Sequence, residues 1–388
     1  MFSFRLKVVF IAVALGLFLV SPAAAAKPAD TAEYQILATT MGGIQAMQAP
    51  LTLELDARGA PAPGGAQQAK HAIPAGMKMG KELPLIRPEQ QKGTPGTATP
   101  GTQENWTLKI YWGSSKQVQK GQPIVISPQE MKSGGGKLAA LAGGKGVWKG
   151  TPPAGWGWGQ WPNRQSGVSV PAGASLKGDH LVTGNYLPDI KFKIAQHDFL
   201  PPLNVKIGGS DLKTSLPLSW QPVQGALGYF AYAMASNQAK KETIIWTSSS
   251  KACMGMMMHE HSSQVKEMIR NGVIMGSDKT ACDIPEGIFA GTEGAMVMMS
   301  AWGEDYWMSY PEKPAKAPKD WKPDWTVNAL FLSRWMGAPG MPDMEEMTRG
   351  YDPDEEYENP RDEKPAKTPE RGKQKNPRIS FPIPIPRF

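Results

Sequence analysis

The sequence predicts an all-β protein: two β-sandwich domains with long Gly/Pro-rich loops, one short helix in an insertion, and a disordered C-terminal tail. Three observations lead there. Short runs alternate apolar and polar residues with a period of two along most of the chain, the pattern of half-buried strands. With 42 Gly and 36 Pro in 388 residues, turn formers separate those runs. The 13 Trp demand burial or a ligand, which argues against a chain without a core. The expected divisions are a signal peptide at 1–26, an N-terminal β-rich domain with a Gly/Trp-rich loop at 27–208, a β-sandwich at 209–338 and a Pro/charged tail at 339–388.

Arg5 and Lys7 precede the apolar run Val8 to Val20, Ser21-Pro22 breaks it, and Ala23 to Ala26 offer small residues for cleavage. The run is shorter than the roughly 20 residues a membrane span requires. These features predict a cleaved export signal, a mature chain starting near Lys27, a periplasmic or secreted location and no transmembrane segment afterwards. Residues 1–26 hold two of the 42 basic and none of the 35 acidic residues, so the mature charge is about +5. No Lys/Arg stripe is interleaved with aromatics, which excludes nucleic acid as the expected partner.

Strands follow in order. Glu33 to Thr39 and Pro50 to Ala57 alternate, the latter with Leu51, Leu53 and Leu55 on one face. Leu83 to Ile86 forms a short edge element, and 88–104 a flexible Pro/Gly loop. Trp106, Leu108, Ile110 and Trp112 share a face, and Pro123 to Ile126 pairs after a turn. Ser127-Pro128-Gln129-Glu130 has the form of a capping box. Residues 133–165 are Gly/Trp-rich and read as loop. Alternation returns at Ser175 to Gly184, Asp189 to Ala195, Leu216 to Trp220, Tyr229 to Met234, Thr243 to Thr247, Ala295 to Trp302 and Trp325 to Trp335. Between the strands at 243–247 and 295–302 lies the one good helix, capped by Ser262 or Ser263, with Val265, Met268 and Ile269 on one face and Asn271-Gly272 as its stop.

Leu218-Ser219-Trp220-Gln221-Pro222-Val223, followed by Gly225-Ala226-Leu227-Gly228-Tyr229, resembles the second-to-third-strand segment of fibronectin type III-like (Ig-like) domains. The resemblance covers about 211–336. It implies a sandwich whose core holds Trp220 and whose next strand begins at Tyr229, and it implies an interaction module more than an activity. The Tyr111-Trp112-Gly113 echo of Ala301-Trp302-Gly303 extends the same expectation to 33–200. The layout as a whole resembles exported proteins of Gram-negative bacteria.

Four features could carry chemistry. Cys253 and Cys282, an even pair in an exported chain, predict a disulfide. In the run Cys253 to His261, the residues Met256, Met258, His259 and His261 offer thioether and imidazole ligands suited to copper, against packing of methionines in an irregular core. Trp148, Trp156, Trp158 and Trp161 on a Gly-rich segment could stack on sugar rings or peptides, or could pack as a lid on the sheet. Asp179-His180 and His197-Asp198 place imidazole beside carboxylate, but neighbours on a strand face opposite ways, so neither is a dyad by spacing. GxSxG, HExxH and P-loop signatures are absent from the sequence. The function expected is binding or structural work in the cell envelope, toward a protein or a glycan, without a cofactor. A copper-handling protein is the alternative, and a hydrolase without a recognisable motif the third.

Overall fold

Period-two alternation becomes strand almost wherever it occurs. The computed structural model describes residues 31–60, 64–88, 105–132, 141, 151–167, 169–254 and 260–341. In chain order its elements are β1 (Ala32–Gly43), β2 (Leu51–Gly59), β3 (Ala69–Ala72), β4 (Glu82–Leu85), β5 (Thr107–Trp112), β6 (Ile124–Ile126), α1 (Pro128–Lys132), β7 (Gly157–Trp161), β8 (Gly178–Gly184), β9 (Leu187–Ile194), β10 (Val205–Ile207) and β11 (Leu216–Trp220). There follow β12 (Ala226–Asn237), β13 (Glu242–Thr247), α2 (Ser262–Arg270), β14 (Met275–Gly276), β15 (Ala281–Ile284), β16 (Ala295–Gly303), β17 (Tyr306–Tyr310) and β18 (Trp325–Gly337).

Three sheets hold the described strands. The large mixed sheet runs β6-β5-β13-β12-β16-β18-β1-β2-β7, with β14 paired to β12 and β17 to β18. Two smaller sheets run β10-β11-β15 and β4-β3-β8-β9. The link is β1, which pairs in parallel with β18 along its whole length and antiparallel with β2. Strands from both sides of the boundary expected at 208/209 therefore share one sheet: β5 lies parallel beside β13, while β1, β2 and β7 continue beyond β18. Pairing between such distant segments leaves no local trace in a sequence.

The large sheet has two faces of different character, set by alternation along each strand. Its inner face presents Tyr34, Ile36 and Ala38 of β1, Tyr229, Ala231, Ala233 and Ala235 of β12, and Val327, Ala329 and Phe331 of β18. These pack with Leu218, Trp220 and Ile284 of one small sheet and Val182, Ile190 and Phe192 of the other, in one continuous core. On the outer face Leu37, Phe230, Tyr232, Ile245, Trp302, Leu330 and Leu332 form a separate core with Val265 of α2 and Ile274 beyond it. Burying Val265 completely contributes about 1.5–3 kcal/mol toward holding so short a helix. The helix begins at Ser262, with His261 as its cap: the His261 N–H donates to Gln264 Oε1 at 3.0 Å. It stops at Asn271, and Gly272 takes the positive φ of 71° that turns the chain away.

The expected disulfide does not form. Cys253 and Cys282 are both buried and are not bonded to each other. Cys282 lies in the inner core on β15, opposite Leu218, and Cys253 lies in the outer core beneath α2. A layer of the large sheet separates the two cores. An even cysteine count says nothing about which face of a sheet each thiol occupies, and that is where the expectation failed.

The expected signal peptide at 1–26 lies outside the described residues, as does the expected tail from residue 342. No helix among the described residues is long and apolar enough to cross a membrane.

Candidate functional site

Helix α2 covers only part of the outer face. Toward β7 and β17 the same face becomes polar, and strand register arranges its side chains in two transverse rows. One row reads Gln160, Asp56, Gln35, Asn328, Trp307 across β7, β2, β1, β18 and β17. The adjacent row reads Trp158, Arg58, Glu33, Thr326, Ser309. Asp56 and Arg58 are buried, Trp307 is 52% exposed, and the others are half-buried.

Asp56 anchors the β7 end. Its carboxylate is fully enclosed yet fully engaged: Trp158 Nε1–H donates to Oδ2 at 2.8 Å, Gln160 Nε2–H at 2.7 Å and Arg58 Nη2–H at 3.1 Å, while Arg58 Nε–H donates to Oδ1. Arg58 also lies 5.7 Å from the Trp158 ring centroid, within cation–π range. The indole is therefore fixed at its N–H and backed on one face by a guanidinium. The Trp158 backbone N–H donates to Gln67 Oε1 at 3.0 Å.

The alternation Gly157-Trp158-Gly159-Gln160-Trp161 has a steric cause. Tyr186 lies flat against the inner side of β7. A Cβ on Gly157 would meet the Tyr186 ring at 2.2 Å, and one on Gly159 would sit 2.5 Å from its hydroxyl and 2.7 Å from the Leu85 carbonyl. At these two positions only glycine fits facing inward, so Trp158 and Gln160 carry the outward face, and Trp161 is the first large side chain of the strand to enter the core. What the composition suggested was a Gly/Trp loop is, from Gly157 to Trp161, a strand paired with β2. Tyr186 Oη is buried with no hydrogen-bond partner among the described residues, and burial followed by the nearby Asp56 charge pushes its phenol pKa up.

A second polar cluster closes the β17 end. Between the pairs Trp302–Leu332 and Tyr306–Ala329, three residues (303–305) face two (330–331): a β-bulge joins β16 to β17. The bulge aims Asp305 at the start of α2. His261 Nδ1 lies 2.8 Å from Asp305 Oδ2, and the Ser262 hydroxyl donates to Asp305 Oδ1. Partial burial acts to raise the Asp305 carboxyl, but the hydrogen bonds from His261 and Ser262 prevail and hold it at about 2. Asn328 Nδ2 is 3.3 Å from His261 Nδ1, tying this cluster to the first row. His261 Nε2 has no partner among the described residues. Because Ser262 bonds the aspartate and not the imidazole, the three side chains do not form a nucleophile–base–acid relay.

The inner face holds a different polar array. Tyr34 Oη is 2.8 Å from His71 Nδ1, His71 Nε2 is 2.9 Å from His180 Nδ1, and His180 Nε2 is 2.7 Å from the Leu176 carbonyl. Burial favours the neutral form of both imidazoles, and a carbonyl can only accept; with both rings neutral, His180 carries its proton on Nε2, His71 donates from Nε2, and Tyr34 donates to His71 Nδ1. Burial, with His180 as a second cause, pulls His71 well down, and burial likewise lowers His180. His180 also stacks on Phe192 with ring centroids 4.6 Å apart. This chain lies sealed in the core and has no access to a ligand.

Of the residues singled out from sequence, Trp158 and His261 reach the polar outer face, at opposite ends. Trp161 faces inward in the core, and Trp156 sits half-buried just before β7. Trp148, Met256, Met258 and His259 lie outside the described residues. Among the described residues no group of three or more His, Cys, Asp or Glu gathers as a metal cage. Asp179 pairs loosely with Lys193 at the surface while His180 turns inward, and Asp198 accepts from Ser175 Oγ and the Leu176 N–H while His197 stacks on Phe331. Sequence reasoning missed Asp56, Gln35, Asn328, Asp305 and Trp307. For Asp56, Gln35 and Asn328 the only signal was a few alternating polar residues near one end of β1, β2 and β18, and it is shared by any solvated strand. No protein-family model matches the sequence, and neither a curated protein nor a solved structure matches it.

Proposed function

We propose that this is an exported binding protein of the cell envelope that holds a glycan on the uncovered part of the outer face. The observation that carries this is the Asp56 cluster: a buried carboxylate spends its hydrogen bonds fixing one indole and one amide beside it at a half-exposed surface. A pre-oriented aromatic face with adjacent amide groups suits a sugar ring, which offers apolar C–H faces and hydroxyls at its edge. Residues 1–26 support export. The strand orders β10-β11-β15 and β13-β12-β16-β18 support a fibronectin type III-like sandwich over about 205–337, with Trp220 and Tyr229 in contact at 5.3 Å in its core. The β4-β3-β8-β9 sheet packed beneath β1 and β2 supports a second sandwich that shares the large sheet.

Titration of the purified protein with peptidoglycan fragments and envelope polysaccharides, read by Trp fluorescence, should give saturable quenching that Trp158→Ala abolishes. A flat response of the native protein across that panel would sink the reading. Copper handling through Met256, Met258, His259 and His261 is the second reading. One observation favours it: Asp305 holds Nδ1 of His261 and leaves Nε2 for a ligand, the usual support of a metal-binding imidazole. Anaerobic Cu(I) titration should then show tight binding that His261→Ala weakens, and equal binding by both proteins would dispose of it.

A further inference from the structure

We infer that Met234, Met296, Met298 and Met336 hold a soft monovalent metal ion of the copper(I) class through their thioethers, on the outer face beyond the core that α2 covers. This site is independent of the glycan reading. It shares only a metal class with the copper reading given above, and none of its residues.

The placement follows from register. Alternation from the buried outward residues Leu330 and Leu332 carries Arg334 and Met336 of β18 to the same face. Alternation from Phe230 and Trp302 likewise carries Met234 of β12, and Met296 and Met298 of β16, to that face. Met234 stands directly opposite Met296, and Met298 directly opposite Met336. Directly opposed Cβ atoms lie about 5 Å apart. With β16 in the middle, the midpoint between Met296 and Met298 is within about 6 Å of all four Cβ atoms at the usual strand spacing and rise. An unbranched side chain with three rotatable bonds can bring its sulfur over that point.

The residue type calls for a reason beyond packing. Phe230, Trp302, Leu330 and Leu332, nearer α2 on the same strands, are buried, whereas the four methionines are half-buried. Methionine commonly fills irregular gaps in a core. Here the ladder is regular, for the register shift between β12 and β16 lies at Ala226/Gly228, at the opposite end of their pairing. A regular pleated surface favours branched and aromatic residues, and what these four share instead is a sulfur. Neutral, soft thioethers suit copper(I), while magnesium and calcium take oxygen ligands. Such a site differs in kind from a His/Cys/Asp/Glu cage, which does not occur among the described residues.

The surroundings are compatible with a bound cation. The pairing of β16 with β18 ends at Val297–Gly337, which leaves Met296 at the margin of the sheet. Tyr232 stands beside Met298 on β12. Arg334, one outward position before Met336, is the one cation of the adjoining row Phe230, Ser300, Arg334, Met41, and the carboxylates of Glu54 and Glu260 act on it.

The test uses the full mature chain, carbon-13 labelled at its methionine methyl groups and titrated with silver(I) in chloride-free buffer. Silver(I) has the softness of copper(I) without its redox chemistry. The methyl resonances of Met234, Met296, Met298 and Met336, each assigned through its substitution by leucine, should shift together along one binding curve. Leucine keeps the volume and removes the sulfur, so each variant should melt close to the native chain. Met296→Leu combined with Met298→Leu should weaken binding at the remaining two by about tenfold or more. His261→Ala should leave the curve where it is. Thioethers carry no proton, so its midpoint should be the same at pH 7.5 and pH 5.5, whereas imidazole or thiolate ligands lose affinity as they protonate. Anaerobic copper(I) should move the same four resonances. Shifts confined to other methionines, or an unchanged curve in the doubly substituted protein, overturn the site. A midpoint that moves with pH or with His261→Ala hands the ion to other ligands and overturns it equally. None of these outcomes bears on the glycan reading, which is tested separately.

Discussion

Strands β1 and β18 each run through two environments on the outer face of the large sheet. Under α2 their outward residues are Leu37, Leu330 and Leu332, all buried in an apolar core. A few residues back along the same strands they are Glu33, Gln35, Thr326 and Asn328, half-buried and polar. The pairing of β1 with β18 is unchanged across the transition, while on its other side β18 passes from β16 to β17 at the bulge. What changes is the cover. A strand that keeps its inner face buried all along and switches its outer face from leucine to amide marks where the fold closes and where it is left open.

That contrast can be broken by exchanging its members. Leu330→Asn places an amide in the covered core, losing a buried side chain and stranding polar atoms, and should cost about 5 kcal/mol in denaturant unfolding. Asn328→Leu, two residues away on the same face, should change stability by no more than about 0.5 kcal/mol. Similar costs at both positions would mean that the open half is covered too.

The open half has its own buried anchor, and it should be nearly as sensitive. Asp56→Ala removes the acceptor of four hydrogen bonds and leaves the buried Arg58 guanidinium without this carboxylate. Loss of one partner from such a pair costs about 4 kcal/mol. Urea melts of Asp56→Ala and of Trp158→Ala should differ sharply, with the second much closer to the native chain. Equal losses would make Asp56 a surface charge in effect.

The two faces also differ in legibility. Inner-face positions such as Ile190, Phe192 and Ile194 were readable because burial on one side imposes alternation. The helix face of Val265, Met268 and Ile269 was readable for the same reason. The open outer face was not, because the chemistry there is assembled across strands: Asp56 meets Trp158 102 residues away, and His261 meets Asp305 44 residues away. Trp158 was picked out by composition, but on the wrong physical premise, since glycines that suggested a loop are there to admit Tyr186 beneath a strand. The bulge that aims Asp305 has no sequence signature beyond Gly303.

Inside, the Tyr34–His71–His180 chain should make stability depend on pH in a defined sense. Both imidazoles are neutral in the fold and have pKa values below the ordinary value near 6.5, so the unfolded chain takes up protons first. Their contribution is complete above about pH 6.5 and declines as pH falls below it, by up to about 1.4 kcal/mol per pH unit for each histidine. Unfolding free energies measured from pH 7.5 to 5 should slope accordingly, and His71→Gln or His180→Gln should flatten that slope even where the baseline drops. A slope unaltered in both variants would assign the pH dependence to carboxylates instead.

The smallest effect expected is none, and it tests the separation of the faces most directly. With Cys282 in the inner core and Cys253 in the outer one, no bond joins them, and burial followed by the Asp283 charge lifts the Cys282 thiol to about 12. A thiol so placed is un-ionised at neutral pH and unreactive toward oxidants. Melting temperature should therefore be the same with and without dithiothreitol, and both thiols should react with a maleimide only after unfolding. A bridge closing the loop between these residues would instead contribute about 3–4 kcal/mol, which reduction would remove. Such a loss would require Cys253 and Cys282 to reach each other through the sheet, and the alternation that assigns every other side chain to one face or the other would have to give way at β15 or at the turn after β13.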